Sequence, residues 1–373
     1  MAAGIYIHIP FCLRKCPYCD FYSLAFDSEL CSHYLDAVID EARQFPSLAC
    51  DTVYFGGGTP SLLSAAEIAR VLDSLAGYYS ISNDAEITLE CNPATVDEDT
   101  LVALRSAGIN RLSVGVQSLD DDVLKKAGRL HSSAEALKTL SDAHAAGFDN
   151  ISADLMIGLP GEDRSALKNT VMGLSRAGVS HISAYMLKLM PGTPFYEHIP
   201  DNLPDDDGSA EFYESCCGYL DAAGFEQYEI SNFARSYDSE SRHNRKYWAC
   251  GEWIGLGAAA HSCVADDRFS FGRDINGFIK KFKHALPNST GYLDALTHEG
   301  AIELSDRIML GLRTREGIDI EKLREEYNYT LNQQNVEFIN SICDAGLARY
   351  DKKNLSLTRG GMLVSNSIIA RLI

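Results

Sequence analysis

Three cysteines stand close together near the start of the chain, Cys12, Cys16 and Cys19, in the spacing C-x3-C-x2-C. Three thiolates can hold three irons of a [4Fe–4S] cube and leave the fourth iron without a protein ligand. An iron with open positions can bind a small molecule and act on it. A cluster closed by four cysteines is built to store or pass electrons. Structural zinc is the competing reading of any cysteine cluster. Zinc wants four ligands, usually in two close pairs, and the sequence has no second C-x2-C pair. Cys31 and His8 could complete a site, but neither falls at a zinc-finger spacing. The triad follows the apolar run 5–9, which reads as a strand, so it belongs to a loop at a strand's C-terminal end.

The elements around it repeat. Short apolar strands are expected at Ile5–Ile9, Thr52–Phe55, Glu86–Glu90, Arg111–Val116, Asn150–Met156 and His181–Leu187, with amphipathic helices between them at Ser28–Gln44, Ala65–Gly77, Asp97–Ala107, Ser133–Ala146 and Ser165–Ala177. Ala107-Gly108, Ala146-Gly147 and Ala177-Gly178 are helix C-terminal signatures. Such β-α alternation predicts an α/β fold with a parallel sheet, here a partial (β/α)6 TIM-like barrel. Residues 199–208, with two prolines and an Asp run, read as a loop, then a helix at Glu211–Ala223 and an extended stretch at Phe225–Ile230. From about 300 onward come three helices, Leu304–Arg313, Ile320–Tyr327 and Asn332–Ala345, and a hairpin from Ala348–Tyr350 and Leu355–Thr358. They predict a small C-terminal helical, winged-helix-like domain. The expected division is 1–230 for the barrel, 231–299 for a connecting region and 300–373 for the C-terminal unit.

In parallel barrels the chemistry gathers at the C-terminal strand ends. There the sequence places the turn FGGGTP at 55–60, where glycines let a ligand approach and leave N–H and C=O groups free for it. Glu90 ends the third strand and suits an ammonium group. Gln117 follows the fourth, Arg129 lies beyond it, and Asp154 is in the fifth. Singly these are helix caps and surface charges. Together on one rim they suit a zwitterionic amino acid carrying a ribose.

The bulk properties narrow the partners. The chain has 373 residues, 46 % hydrophobic, and a formal net charge of -19. That charge repels phosphate backbones, and no Lys/Arg run offers a local exception, so nucleic acid is not expected as a partner. Eleven cysteines without a signal peptide point to a reducing cytosol, most of the eight outside the triad serving as small apolar fillers. No stretch approaches the roughly 20 apolar residues of a membrane span, so any membrane contact is expected to be peripheral.

On these residues the chain resembles the radical S-adenosylmethionine (SAM) superfamily. C-x3-C-x2-C with the aromatic Tyr18 before its last cysteine is the cluster motif of that superfamily, and the Gly-Gly-Gly-Thr turn is its methionyl site. YIHIPFC at 6–12, FGGGTPS at 55–61, SVGVQS at 113–118, DLMIGLPG at 154–161 and LTRGGMLVSNS at 357–367 are similar to oxygen-independent coproporphyrinogen III dehydrogenase and its relatives. The resemblance implies a [4Fe–4S] cluster on Cys12, Cys16 and Cys19, a reducing electron donor, and SAM contacts from Tyr6, Tyr18, Gly57, Gly58, Thr59, Glu90, Gln117, Arg129 and Asp154. It implies a reaction in which one electron splits SAM bound at the open iron, giving a carbon radical that abstracts hydrogen.

Two features separate this chain from the dehydrogenases in that comparison. Where they carry a further cysteine two residues past the triad, Phe21 stands here, and the first strand begins at about residue 5, leaving no N-terminal segment before it. HNRKYW at 243–248 instead resembles the H-N-x-x-Y-W motif of HemW-type heme chaperones. This implies that heme is bound and handed to recipient proteins, some of them membrane-associated. His243 is the candidate axial ligand, with Tyr247 and Trp248 to cover the macrocycle and Arg242, Arg245 and Lys246 to meet propionates. His261 is a second histidine candidate, with a packed core histidine as its equal alternative. The expected function is a radical-SAM-type heme chaperone. The alternatives are coproporphyrinogen III oxidation in porphyrin biosynthesis and, against the acidic charge, RNA modification.

Overall fold

The computed structural model describes residues 2–283 and 296–373, so residues 284–295 of the expected connecting region lie outside the described residues. Six parallel strands carry the fold: β1 (Ala3–Ile9), β2 (Ala49–Gly57), β3 (Ser80–Cys91), β4 (Arg111–Gln117), β5 (Asn150–Ile157) and β6 (His181–Met186). Helices α1 (Ser28–Ala42), α2 (Ala65–Ala76), α3 (Glu98–Ser106), α4 (Asp121–Lys126), α5 (Ser133–Ala145) and α6 (Arg164–Arg176) connect them.

Strand periodicity sorts the side chains. Ile5, Ile7 and Ile9 are fully buried and share the main core with Tyr34, Leu35 and Val38 of α1. Tyr6 and His8, pointing the other way, belong to the polar, aromatic interior. Burial of each isoleucine is worth about 2 kcal/mol. Helix starts are fixed by side chains. Ser64 with Glu67 and Ser132 with Glu135 form capping boxes on α2 and α5, and Asp27, Asp97 and Asp163 accept from N–H groups of α1, α3 and α6. Gly108, Gly147 and Gly178 have positive φ at the ends of α3, α5 and α6, the conformation their Ala-Gly pairs predict.

After β6 the chain differs from the sequence reading in instructive ways. The Asp run is not all loop: Asp205 accepts from Gly208 N–H and the helix α7 (Asp206–Ala222) starts there, because acidic residues stabilise a helix N-terminus. The expected extended stretch reduces to Glu226–Gln227, antiparallel to β7 (Asn232–Ala234), which pairs with β6. Helix α8 (Arg242–Trp248) precedes β8 (Trp253–Leu256), and β8 is a seventh parallel strand on the outer side of β1. An antiparallel meander of β9 (His261–Val264), β10 (Asp267–Phe271) and β11 (Leu296–Ala301) extends that edge. Helix α9 (Ile275–Phe282) packs on α1 through Phe278 against Tyr34.

The sheet curls around α8. His243 of α8 meets Gly4 and Thr52 at the starts of β1 and β2, and Glu86 in β3. The residue before α8, Ser241, donates its N–H to the Tyr228 hydroxyl, which bonds His181 at the start of β6. One short helix thus touches both halves of the sheet and closes the N-terminal end of a partial barrel.

The C-terminal unit has its own core, including Ile308, Leu312, Ile339, Leu355 and Ile368. It contains α10 (Leu304–Gly311), α11 (Ile320–Tyr327), α12 (Gln333–Asp344) and the hairpin β12 (Ala348–Tyr350) and β13 (Asn354–Leu357). Ile318–Asp319 adds a third strand beside β13, and α13 (Ser365–Leu372) ends the chain. Buried Glu240 ties the unit to the barrel by accepting from Arg245 on one side and Arg315 on the other.

Candidate functional site

A cavity of about 450 Å³ opens at the C-terminal ends of the parallel strands. Cys12, Cys16, Cys19, Tyr18, Gly57, Gly58, Thr59, Glu90, Gln117, Arg129 and Asp154 all line it. Residues from one end of the sequence to nearly half its length therefore meet in one place, because every parallel strand delivers its C-terminus to the same rim.

The three thiols are free and partly exposed on the loop after β1. Cys12 Sγ accepts from Thr59 Oγ1 at 3.5 Å, and Cys16 Sγ from Arg129 Nη1 at 3.4 Å. Burial pushes the Cys19 thiol up to about 11, a cost that a bound cation would offset by favouring the thiolate. Among the described residues no group of three or more His, Cys, Asp or Glu is placed to hold a metal ion, so the trio is not a preformed single-ion site. Three sulfurs, two of which already receive a hydrogen bond from a hydroxyl or a guanidinium, fit the donor set of an iron–sulfur cluster.

The glycine turn is bonded tightly to the cysteine loop. Gly58 N–H donates to Ile9 O at 2.9 Å and Thr59 N–H to Phe11 O at 2.7 Å. Gly57, at φ +110, donates to Glu90 Oε2 at 3.0 Å. A side chain at Gly58 would lie 2.6 Å from Phe11 O, so only glycine permits this approach. The expectation that the turn leaves amides free for a ligand is corrected here: the N–H groups of 57, 58 and 59 are spent within the protein. What the turn can offer is carbonyl oxygen, which suits a donor such as an ammonium group.

Two carboxyl groups sit inside the cavity with raised proton affinity. Glu90 is pushed up to about 7 by burial, with the charge of Asp154 adding to it. Its two oxygens accept from the Tyr54 hydroxyl at 3.0 Å and from Gly57 N–H. Asp154 is pushed up to about 6 by burial, against hydrogen bonds from Ser113 and Ser183. Buried acids that resist ionisation this way are a receptor for positive charge. Arg129 supplies the opposite sign: Nη2 donates to Asn92 Oδ1 and to Gly115 O at 2.9 and 2.7 Å, while Nε is buried without a partner. Gln117, at φ +67, ends β4 at a break in its register with β5. Two acids, a guanidinium and open carbonyls fit a ligand carrying a cation and an amino-acid head group.

Two of the expected site residues are placed elsewhere. Tyr6 is not on the cavity wall. It lies beneath it, stacked on Tyr54 with its hydroxyl on His8 Nδ1 at 3.0 Å. His243 is 1 % exposed at the closed, N-terminal end of the barrel. Its Nδ1 pairs with Thr52 Oγ1 and its Nε2 with the Tyr247 hydroxyl, both at 2.8 Å, and its ring stacks on Tyr54. Burial pushes it down to about 3, so it stays neutral. The cations around it are engaged: Lys246 with Ala2 O and Asp51, Arg242 with Asp51 and Asp84 O, Arg245 with Glu240 and Glu316. Tyr247 packs edge-on against Trp253. His243, Arg245, Lys246 and Tyr247 of HNRKYW are thus paired within the protein as a plug, and only Asn244 of the motif reaches the cavity. His261 lies away from the cavity wall, 63 % exposed at its side chain and paired with Glu299.

The sequence reading missed Arg111, Ser113, Tyr54, Asn92, Ser183 and Asn244, which also line the cavity. A signal existed for some of them. Arg111, Ser113, Gly115 and Gln117 alternate along β4 and all face the cavity, a period of two that starts from the assigned Gln117.

Comparisons with known proteins agree with this architecture. Residues 6–172 match the radical SAM superfamily and residues 303–364 the HemN C-terminal domain. The heme chaperone HemW of Bacillus subtilis is 33 % identical over 97 % of both chains, and HemW of Escherichia coli 38 % identical over 70 % of both. The Escherichia coli coproporphyrinogen III oxidase HemN, described as a radical SAM enzyme, superposes with a TM-score of 0.84 at 22 % identity, covering 100 % of this chain and 90 % of that one.

Proposed function

This chain belongs to the HemW family within the radical SAM superfamily, and from that premise we propose that it is a heme chaperone that binds a [4Fe–4S] cluster, SAM and heme and delivers heme to recipient proteins. The observation that carries the reading is the convergence of the three cysteines with Arg129, Glu90 and Asp154 on one cavity. In this reading Cys12, Cys16 and Cys19 hold the cluster, while Arg129 and Thr59 donate to its sulfur ligands. Glu90, Asp154 and the 57–59 turn hold the positively charged end of SAM, with Tyr18 and Gln117 on the remaining wall. When bound, the cluster supplies a site of variable charge with one coordination position open to a ligand. The chain's own residues orient that ligand and keep water from it.

For heme, the family supplies the expectation and the cavity mouth supplies apolar contact. Phe21, 62 % exposed, stands at the lip of the cavity with Met186 and Met190. Phe21 replaces the extra cysteine of the dehydrogenases, which favours binding over porphyrinogen oxidation. The proposed partners are heme-recipient proteins, including membrane-associated ones, and a one-electron reductant. No helix among the described residues is long and apolar enough to cross a membrane, so a visit to a bilayer would take place at its surface.

The test is anaerobic reconstitution with iron and sulfide, followed by parallel heme titration and incubation with coproporphyrinogen III, SAM and a reductant. The expected result is a saturable shift of the heme absorbance band with coproporphyrinogen unconverted. Protoporphyrinogen in that incubation would replace this reading with the oxidase one.

A further inference from the structure

Deep in the same cavity, below the rim groups assigned to the cluster and SAM, lies a group that none of them uses. Arg111 opens β4 and is only 1 % exposed. Its Nε is buried without a hydrogen-bond partner, and no hydrogen bond to its guanidinium exists among the described residues. The nearest acidic oxygen among them is Glu86 Oε2, 4.0 Å from Nε. That carboxylate is already committed: its two oxygens accept from the N–H groups of Arg242 and His243 at 3.1 and 3.0 Å. Asp154 is held by Ser113 and Ser183, and neither His181 nor His243 is free to pair with the charge. His181 is locked between Ser152 and Tyr228, and His243 between Thr52 and Tyr247.

A guanidinium carries five donors in a planar fork, and burying one whose nearest carboxylate is 4.0 Å away and bonded elsewhere is unfavourable. Native interiors pair nearly all such groups. The same cavity wall carries Asn244, whose side chain has no hydrogen bond within the described residues. An anion with two coplanar oxygens could take two parallel N–H bonds from Arg111 and a further one from the Asn244 amide.

We propose that the inner end of the barrel cavity, built on Arg111 with Asn244, is a binding site for the carboxylate of a second ligand, separate from the amino-acid head group held at the rim. The site rests on the cavity alone and does not require that this ligand be heme. A macrocycle with alkyl carboxylate side chains would satisfy it, since one such arm can reach inward while the ring stays at the mouth.

The probe is propionate, the simplest alkyl carboxylate of that kind, with propionamide as its uncharged counterpart. On reconstituted wild-type protein at equal ionic strength, propionate should raise the melting temperature in a saturable way and propionamide should not. Arg111→Gln should weaken propionate binding about tenfold or more, the loss of a charge-assisted bidentate pair. Lys188→Gln, which removes a positive charge from the cavity wall outside the cluster and SAM residues, should leave it within about twofold. SAM affinity should be the same in Arg111→Gln as in wild type. If propionate and propionamide act alike on wild type, Arg111 is only a counter-charge for Glu86 and Asp154, and the proposal fails without need of any variant. If the propionate response follows Lys188 instead, or Arg111→Gln weakens SAM tenfold, the carboxylate is not held by a separate site on Arg111 and the proposal is equally overturned.

Discussion

The two ends of the barrel are made from the same kinds of residue and do opposite things. The N-terminal end holds His243, Tyr247, Thr52, Glu86 and the cations of α8, and the named polar groups are paired within the protein. The cavity holds Glu90, Asp154 and Arg129 at its C-terminal rim and Arg111 at its inner end, with carboxyls that resist ionisation and guanidinium nitrogens that lack partners. Residue type does not separate structure from site here. Hydrogen-bond saturation does. A saturated cluster has already gained what its polar groups can offer and serves as a plug. An unsaturated one keeps the capacity to gain from a ligand.

The sharpest way to break this contrast is to remove the triad. Replacing any one of Cys12, Cys16 or Cys19 with Ala should abolish the cluster's visible absorbance after anaerobic reconstitution. The unloaded protein should melt within about 0.5 kcal/mol of wild type, since these side chains are partly exposed and not part of the core. Cys91 is the internal control. It also lines the cavity, but it is buried, and burial pushes its thiol up to about 12, so Cys91→Ala should keep the absorbance. Loss of the cluster in Cys91→Ala would add a fourth ligand and remove the open iron.

The opposite signature belongs to the plug. His243→Ala leaves Thr52 and Tyr247 without their partner in a dry interior and opens a cavity under Tyr54. The expected cost is about 3 kcal/mol, read as a lower denaturation midpoint. Cluster absorbance and SAM affinity of the folded fraction should stay unchanged. A His243→Ala protein of normal stability that no longer shifts the heme spectrum would instead make His243 a ligand and end the distinction between the two ends.

Much of this was legible in the sequence, and the parts that were not share a cause. The strands carrying Ile5–Ile9 and Asn150–Met156, and the helices capped by Ser64 and Ser132, follow from local periodicity and local hydrogen bonds, which a sequence displays directly. The rim residues Glu90, Gln117 and Asp154 follow from the rule that parallel strands deliver chemistry at their C-terminal ends. Helix α4 is too short at six residues to show a period. Strand β8, Trp253–Leu256, contains Gly255 and pairs with β1 across most of the chain, a contact no local pattern announces. His243 reads as a ligand because histidine beside aromatics and cations has the right types. Its two partners, Thr52 and Tyr247, include one 191 residues away, and only the fold shows that both nitrogens are taken. Arg111 is the reverse case: in the sequence it is only the first residue of an expected strand, and only the fold shows it unpartnered in the interior.

The smallest expected effect is a dependence on pH, and it tests the rim half of the contrast. Burial raises Glu90 from 4.5 to about 7 and Asp154 from 3.8 to about 6. The folded, unliganded protein therefore binds these protons more tightly than the unfolded chain. Their contribution to stability is fully present below pH about 4 and is lost as pH rises through 6 and 7. For Glu90 alone the difference is on the order of 3 kcal/mol at most, at 1.36 kcal/mol per pKa unit. A cationic ligand reverses the preference, because it stabilises the carboxylates. SAM affinity should then rise about tenfold from pH 6 to pH 8, with protons released on binding in that window. Isothermal titration in two buffers of different ionisation enthalpy measures both. Asp154→Asn should remove the lower part of the rise, and Glu90→Gln the upper part. The plug should contribute nothing to this profile, since His243, held down to about 3, does not titrate between pH 6 and 8. A flat affinity profile with no proton release would mean that the rim acids are as satisfied as the plug, and that saturation does not distinguish the two ends.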